Sequence, residues 1–163
     1  MSQLGTVYSQ DKRECYEQVC ADIKLVLEGE TNVIAKMTTV SCLLSEAFDY
    51  YFWTGFYIVD PSKEAELHVG PYQGTLGCLR IAYGRGVCGA AAATKQTQLV
   101  ENVHDFPGHI ACDSRSNSEI VVPVLDGQGE LIAVLDVDSE AVGSFDEIDQ
   151  HYLETLMSDL FAQ

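Results

Sequence analysis

Apolar residues recur at helical spacing from Asp11 to Glu28 (Cys15/Tyr16, Val19/Cys20, Ile23, Val26/Leu27), which predicts a first helix after a flexible tail over residues 1–10. Glu28-Gly29-Glu30 interrupts the pattern, and Thr31 or Asn32 stands where a second helix needs its cap. That helix carries Val33, Met37, Val40, Leu44 and Phe48 on one stripe. At Tyr51 the period changes. Trp53, Gly55, Tyr57 and Val59 alternate with Thr54, Phe56 and Ile58, the pattern of a strand. Asp60-Pro61-Ser62-Lys63 turns the chain, and a second strand begins at Glu66 and runs to Val69, giving an antiparallel hairpin. An irregular stretch follows through Cys78, then a short strand from Arg80 to Tyr83, an alanine-rich helix over Ala90 to Thr94 and a short strand from Gln98 to Val100. Residues 101–118 show neither period, which marks a functional loop. Ile120 to Leu125, with Pro123 pointing to an edge or bulge, pairs with Leu131 to Asp138 as a second hairpin. Ser144-Phe145-Asp146-Glu147 reads as a capping box for a last helix with Ile148, Tyr152, Leu156 and Leu160 facing inward.

This order predicts an α+β domain over residues 11–163, an antiparallel sheet with helices at both ends of the chain. A length of 163 residues can bury a sizeable core without covalent staples. The formal charge of −16 argues against nucleic acid and against anionic membranes, both of which need clustered Lys and Arg. No apolar run is long enough to span a bilayer and the N-terminus is not a signal peptide, so a cytoplasmic protein with reduced thiols is expected.

Against that background the six cysteines divide. Cys15, Cys20 and Cys42 ride on the predicted helices and read as packing residues. Cys78, Cys88 and Cys112 sit in loops rich in glycine, histidine or charge, where a thiol is open to chemistry. Cys88 falls near a helix N-terminus, which favours a thiolate. Their spacing excludes a C-x-x-C redox motif. Redox chemistry, a zinc site completed by His104 or His109, and buried structural thiols all remain open from the residues alone. Asp113 beside Cys112 opposes thiolate formation, whereas the two nearby histidines can assist it. Glu119 opens one strand of the second hairpin while Asp136 and Asp138 close the other, on one face. Crowded carboxylates repel, so at least one can keep a proton near neutral pH and serve as a general acid. Trp53 and Tyr57 share a strand face, roughly 13 Å apart by strand rise. They read equally as two walls of a small-molecule pocket or as aromatic core.

The stretch from Gly70 to Pro123 then becomes specific. GPYQG at 70–74, C-x-R-I at 78–81, GRGVCG at 84–89, NVHDFPGHIACD at 102–113 and SNSEIVVP at 116–123, followed by VLDVDS at 134–139, resemble the free methionine-(R)-sulfoxide reductases, which are GAF domains. The likeness extends over residues 11–162. It implies a GAF-like fold, a central antiparallel sheet of about six strands flanked by N- and C-terminal helices, and a homodimer. It implies reduction of free L-methionine (R)-sulfoxide, with no bound cofactor and no metal, in defence against oxidative stress. It implies recycling by thioredoxin, supplied by NADPH through its reductase. Cys112 matches the nucleophile, with Cys78 and Cys88 as resolving candidates and Cys88 as the alternative nucleophile. Glu119, Asp136 and Asp138 match the family's acidic pocket, and Trp53 and Tyr57 its aromatic wall. Tyr72 departs from the phenylalanine common at its position. The rival expectations are a non-catalytic GAF sensor and a zinc-binding domain.

Overall fold

The computed structural model describes residues 4–109 and 112–163, so residues 1–3 of the expected tail and Ile110-Ala111 of the long loop lie outside the described residues. The elements are α1 (Lys12–Val26), α2 (Val33–Ala47), β1 (Trp53–Val59), β2 (Glu66–Gln73), β3 (Arg80–Ala82), α3 (Gly86–Thr94), β4 (Gln98–Val100), a 3-10 turn (Val103–Asp105), β5 (Ser118–Leu125), β6 (Leu131–Ser139) and α4 (Glu147–Phe161). The α+β expectation holds. The strands form one antiparallel sheet in the order β3-β2-β1-β6-β5-β4.

Local chemistry sets the helix starts. Asp11 caps α1 by accepting from the Glu14 amide, and Asn32, the second of the two expected candidates, caps α2 by accepting from Ala35. The last helix begins two residues later than Ser144 would place it. Asp146 is the N-cap, and its box is closed by Asp149 rather than Glu147. The reason is tertiary: Asp149 is wholly buried and holds Lys12, Tyr16 and Tyr50 as well as the Asp146 amide.

β2 runs four residues past the expected Val69, and the extra residues pair with the start of β1, across a register shift between Gly55 and Tyr57. Pro123 lies in β5, which is an inner strand. Its missing N–H costs nothing on the outer side, because β4 pairs with β5 only as far as Val121.

The alternation of β1, β5 and β6 gives the sheet two different faces. Phe56, Ile120, Val122, Val124, Ala133, Leu135 and Val137 point to the side covered by α1, α2 and α4 and join the larger core. Trp53, Tyr57, Val121 and Val134 point to the other side, where α3 and the loops after β2 and β4 form the cover. Cys15 is buried and Cys20 half-buried, and burial pushes both thiols up to about 11. Cys42 is exposed, so the expectation that it packs is wrong for that residue, which sits beside buried Ser41 and Leu43 on the outer edge of the stripe.

Candidate active site

The site is built on the second face. Register places Trp53 opposite Asp138, and Asp138 opposite Glu119, on one rung across β1, β6 and β5. Two residues on, Gly55 stands opposite Asp136 and Asp136 opposite Val121. The three acids therefore meet at one end of the sheet, as the hairpin pattern predicts. Glu119 and Asp136 are 6% and 4% exposed, and both come within 4.8 Å of the Cys88 sulfur, which α3 lowers onto them. Burial is the first cause that raises all three acids. Mutual repulsion adds to it at Glu119, which faces Asp136 and Asp138. Glu119 and Cys88 draw Asp136 partway back. The Oδ1 of Asp136 has no hydrogen-bond partner.

Cys88 differs from expectation. It is the third residue of α3, where the helix dipole favours a thiolate, yet its thiol is pushed well above the ordinary range. Burial outweighs the dipole, and Asp136, Glu119 and Asp138 all add in the same direction. Cys88 is a buried thiol here.

Cys78 and Cys112 form a disulfide with their Cα atoms 5.6 Å apart. It joins the loop after β2 to the long loop before β5. A second link runs beside it, where the Thr75 hydroxyl donates to Asp113 at 2.8 Å. Asp113 also takes a bidentate pair from Arg115, at 3.0 and 2.7 Å, which holds its carboxyl well below the usual range. Asp113 is thus neutralised as a threat to a Cys112 thiolate. The Arg115 guanidinium in turn lies 4.8 Å from the centre of the Phe52 ring.

The aromatic pair is closer than strand rise suggests. The Trp53 and Tyr57 rings lean together and stack at 5.6 Å, and Tyr72 stacks on Trp53 at 4.9 Å. One continuous wall replaces the two expected. Three glycines make room for it. A Cβ at Gly77 would stand 2.9 Å from Trp53 Cζ2 and 3.0 Å from the Tyr57 hydroxyl, one at Gly74 would meet Trp53 Cδ1, and one at Gly55 would collide with Tyr72. The indole N–H donates to the Thr75 carbonyl at 2.8 Å, which fixes the ring to the loop that carries Cys78.

These groups line one cavity of about 50 Å³. Every expected site residue borders it: Trp53, Tyr57, Cys78, Cys88, Cys112, Glu119, Asp136 and Asp138. His109 joins them, with Nε2 3.9 Å from Glu119 Oε1, and burial lowers its pKa first, His104 second. His104 does not border it, and its ring pairs with Asn117 at 3.0 Å. With Cys78 and Cys112 joined, the four-ligand zinc arrangement of three cysteines and a histidine is not assembled. Phe52, Leu76, Arg85 and Ser116 also border the cavity and were not singled out. Only the last two are polar, and neither carries a pattern that separates it from surface residues.

The description "GAF domain" fits residues 44–160. GAF domain-containing protein A of Dictyostelium discoideum is 49% identical over 146 residues, covering 90% of each chain. The free methionine-R-sulfoxide reductase of Escherichia coli is 42% identical over 150 residues, covering 92% of this chain and 88% of that protein. Among solved structures, free methionine-R-sulfoxide reductase from Neisseria meningitidis in complex with its substrate superposes with a TM-score of 0.89 at 45% identity, over 95% of this chain and 91% of that one. The fold, the motifs and these relatives agree, and the chain belongs to the GAF-domain family of free methionine-R-sulfoxide reductases.

Proposed function

We propose that this protein reduces free L-methionine (R)-sulfoxide to L-methionine. The observation that carries the reading is the Cys78–Cys112 disulfide set over a pocket with buried acids on one side and the Trp53–Tyr57–Tyr72 wall on another. In the reduced protein the Cys112 thiolate attacks the sulfoxide sulfur. Glu119, raised by burial and by its two acidic neighbours, gives a proton to the departing oxygen. The oxygen passes to Cys112 as a sulfenic acid and methionine leaves as the thioether. The Cys78 thiol displaces that oxygen as water and forms the disulfide. The pairing seen here supports Cys78 as the resolving residue, and the raised Cys88 thiol argues against Cys88 as the nucleophile. Asp136 and Asp138 hold the substrate ammonium, and the aromatic wall seats the methyl group and keeps water out.

A dithiol of the thioredoxin type takes the two oxidising equivalents from the disulfide, with NADPH as the final source through its reductase. No other cofactor and no metal takes part. The working protein is cytoplasmic, its catalytic unit is residues 11–163 with a short tail before it, and it pairs as a homodimer. Among the described residues no helix is long and apolar enough to cross a membrane.

The test is NADPH oxidation with thioredoxin, its reductase and free methionine (R)-sulfoxide. Turnover of the (R) epimer, with none of the (S) epimer or of the same residue inside a peptide, is the expected result. No turnover of the free (R) sulfoxide sinks the reading and leaves a GAF domain that senses a small ligand.

A further inference from the structure

The site face gathers acidic groups and gives them no fixed cation. Glu119, Asp136 and Asp138 meet on neighbouring rungs of β5 and β6. Among the described residues no Lys or Arg nitrogen lies within 4.0 Å of any of them. The basic group at that distance is His109, with Nε2 3.9 Å from Glu119 Oε1. Asp149, on the other face, has Lys12 at 2.7 Å.

Cys88 adds a soft donor to this set. Its sulfur and one oxygen each from Glu119 and Asp136 all lie within 4.8 Å of one another, and all three residues are buried. They come from α3, β5 and β6, so it is the tertiary fold that brings them together. Asp136 is 4% exposed, and its Oδ1 has no hydrogen-bond partner. A buried acceptor left in that state costs about 1–3 kcal/mol, so it calls for a positive group from outside.

The spacing suits a small ion. Around tetrahedral zinc, with Zn–S about 2.3 Å and Zn–O about 2.1 Å, neighbouring donors stand about 3.5 Å apart. A contraction of at most about 1.3 Å brings the three atoms to that spacing. His109 Nε2 is near enough to Glu119 to be the fourth donor. All four residues border the same cavity, whose volume of about 50 Å³ has room for an ion with a water or two. One thiolate and one imidazole select a borderline-soft cation, whereas magnesium and calcium prefer oxygen throughout. Cys78 and Cys112 are joined to each other and are not needed.

We propose that Cys88, Glu119 and Asp136, with His109 as the fourth donor, form a zinc-binding site that is complete without Cys78 and Cys112 and closes the pocket to substrate. The thiol and the carboxyl groups release their protons to solvent as the ion enters. The ion takes no part in the reduction. It occupies the proton donor and an acid that would meet the substrate ammonium, so it acts as an inhibitor. The closure rests on the reading of the substrate given above, and the site itself does not.

The probes are Cd²⁺ and Zn²⁺ alone, added to oxidised protein in a Cys42→Ser background without reductant. The exposed thiol and the disulfide sulfurs then contribute nothing. One cadmium ion per chain should bind with a thiolate-to-metal charge-transfer band in the ultraviolet, and zinc should displace it. Cys88→Ser should abolish the band and weaken zinc at least about 100-fold. Asp136→Asn should weaken zinc at least about tenfold and keep the band, and it carries the test if circular dichroism shows Cys88→Ser unfolded. His109→Ala should weaken zinc by about tenfold. Absence of the band, a band that survives Cys88→Ser, or zinc affinity unchanged in folded Cys88→Ser or Asp136→Asn protein overturns the site. Trp53 is the only tryptophan in the chain and forms the pocket wall, so its fluorescence reports substrate binding without turnover. On Cys112→Ser protein, zinc at about ten times its own Kd should weaken L-methionine (R)-sulfoxide about tenfold, with EDTA restoring it. Sulfoxide affinity indifferent to bound zinc defeats the closure. The thioredoxin assay on metal-free wild type separates the two readings. Turnover by a chain with no Cys88-dependent zinc site defeats only the metal site. A Cys88-dependent zinc site on a chain that never turns over defeats only the choice of substrate.

Discussion

Two buried aspartates on opposite sides of one sheet behave differently. Asp149, over the larger core, is wholly buried and fully answered: Tyr16 and Tyr50 donate to one oxygen at 2.6 Å each, Lys12 at 2.7 Å and the Asp146 amide at 2.8 Å to the other. Asp136, on the site face, has two acidic neighbours, a thiol and an oxygen with no partner. Both are buried carboxyl groups in the same small fold. One has its partners inside the chain and locks α1, α4 and the segment that leads into β1 together. The other leaves its bonding capacity open, and the fold tolerates that only because the larger core holds the sheet in place.

The sharpest test of this division lies on the site face. Cys112→Ser should lower turnover by at least about 10³-fold, since the attacking sulfur is gone. Its unfolding midpoint should match that of the reduced wild type, measured by circular dichroism in excess dithiol. A comparable loss of stability would mean that Cys112 belongs to the framework.

Next, the aspartates should separate stability from activity. Asp149→Ala should cost about 3–5 kcal/mol in urea unfolding, because Lys12 and two tyrosines lose their acceptor. Below its melting range it should keep near-normal kcat. Asp136→Asn should be neutral or stabilising by about 1 kcal/mol, because a crowded charge is removed, while kcat/KM falls by about 10²-fold. If the two variants changed stability alike, the contrast would collapse.

A pH series sharpens the same contrast. Glu119, Asp136 and Asp138 are all raised in the folded protein, so the native state holds more protons than the unfolded chain. Their contribution to stability is complete below the ordinary carboxylate range near 4 and is lost as pH rises through their raised values. The unfolding midpoint should therefore drift downward from about pH 5 to pH 8 in wild type. The slope should flatten in the triple variant Glu119→Gln, Asp136→Asn, Asp138→Asn. An unchanged slope would show that these groups are ionised in the native state at every pH tested.

The smallest expected effect is steric. Gly77→Ala places a methyl 2.9 Å from the Trp53 ring and should raise KM several-fold through a displaced wall, with a shifted Trp53 emission maximum. No change in either would mean that the ring has slack on that side.

Much of this was legible along the chain because it is periodic. The helix stripes, the strand alternation at Trp53–Val59 and the acidic hairpin all depend on spacings of two to four residues, and all are present. What failed depends on distant partners. The last helix starts at Asp146 because Asp149 is held by Lys12 and Tyr16 from the far end of the sequence. Cys88 has the helix start that suggests a thiolate, but the acids that reverse the outcome come from β5 and β6. Cys42 shares a helix with buried neighbours yet faces outward, a rotation that a coarse stripe does not resolve. The choice of Cys78 over Cys88 as partner of Cys112 was open from the residues, since spacing carries no information on which loops meet. Trp53 and Tyr57 were placed on the right face but at strand distance, because ring lean is set by Gly74 and Gly77 from another loop.

The Thr75–Asp113 hydrogen bond has one further consequence. The Cys78–Cys112 bond closes a ring of sequence separation 34, and Thr75–Asp113 clasps the chain just outside that ring, one residue beyond Cys112 on one side and three residues before Cys78 on the other. A reductant that opens the sulfur bond leaves this clasp chemically untouched. The two sulfurs then meet as tethered neighbours at an effective concentration of millimolar or more, instead of searching through the whole conformational range of a long loop. Ring closure becomes a short local step. It outruns any encounter with a dilute peroxide, and it protects an oxidised sulfur from going further up the ladder to an irreversible acid.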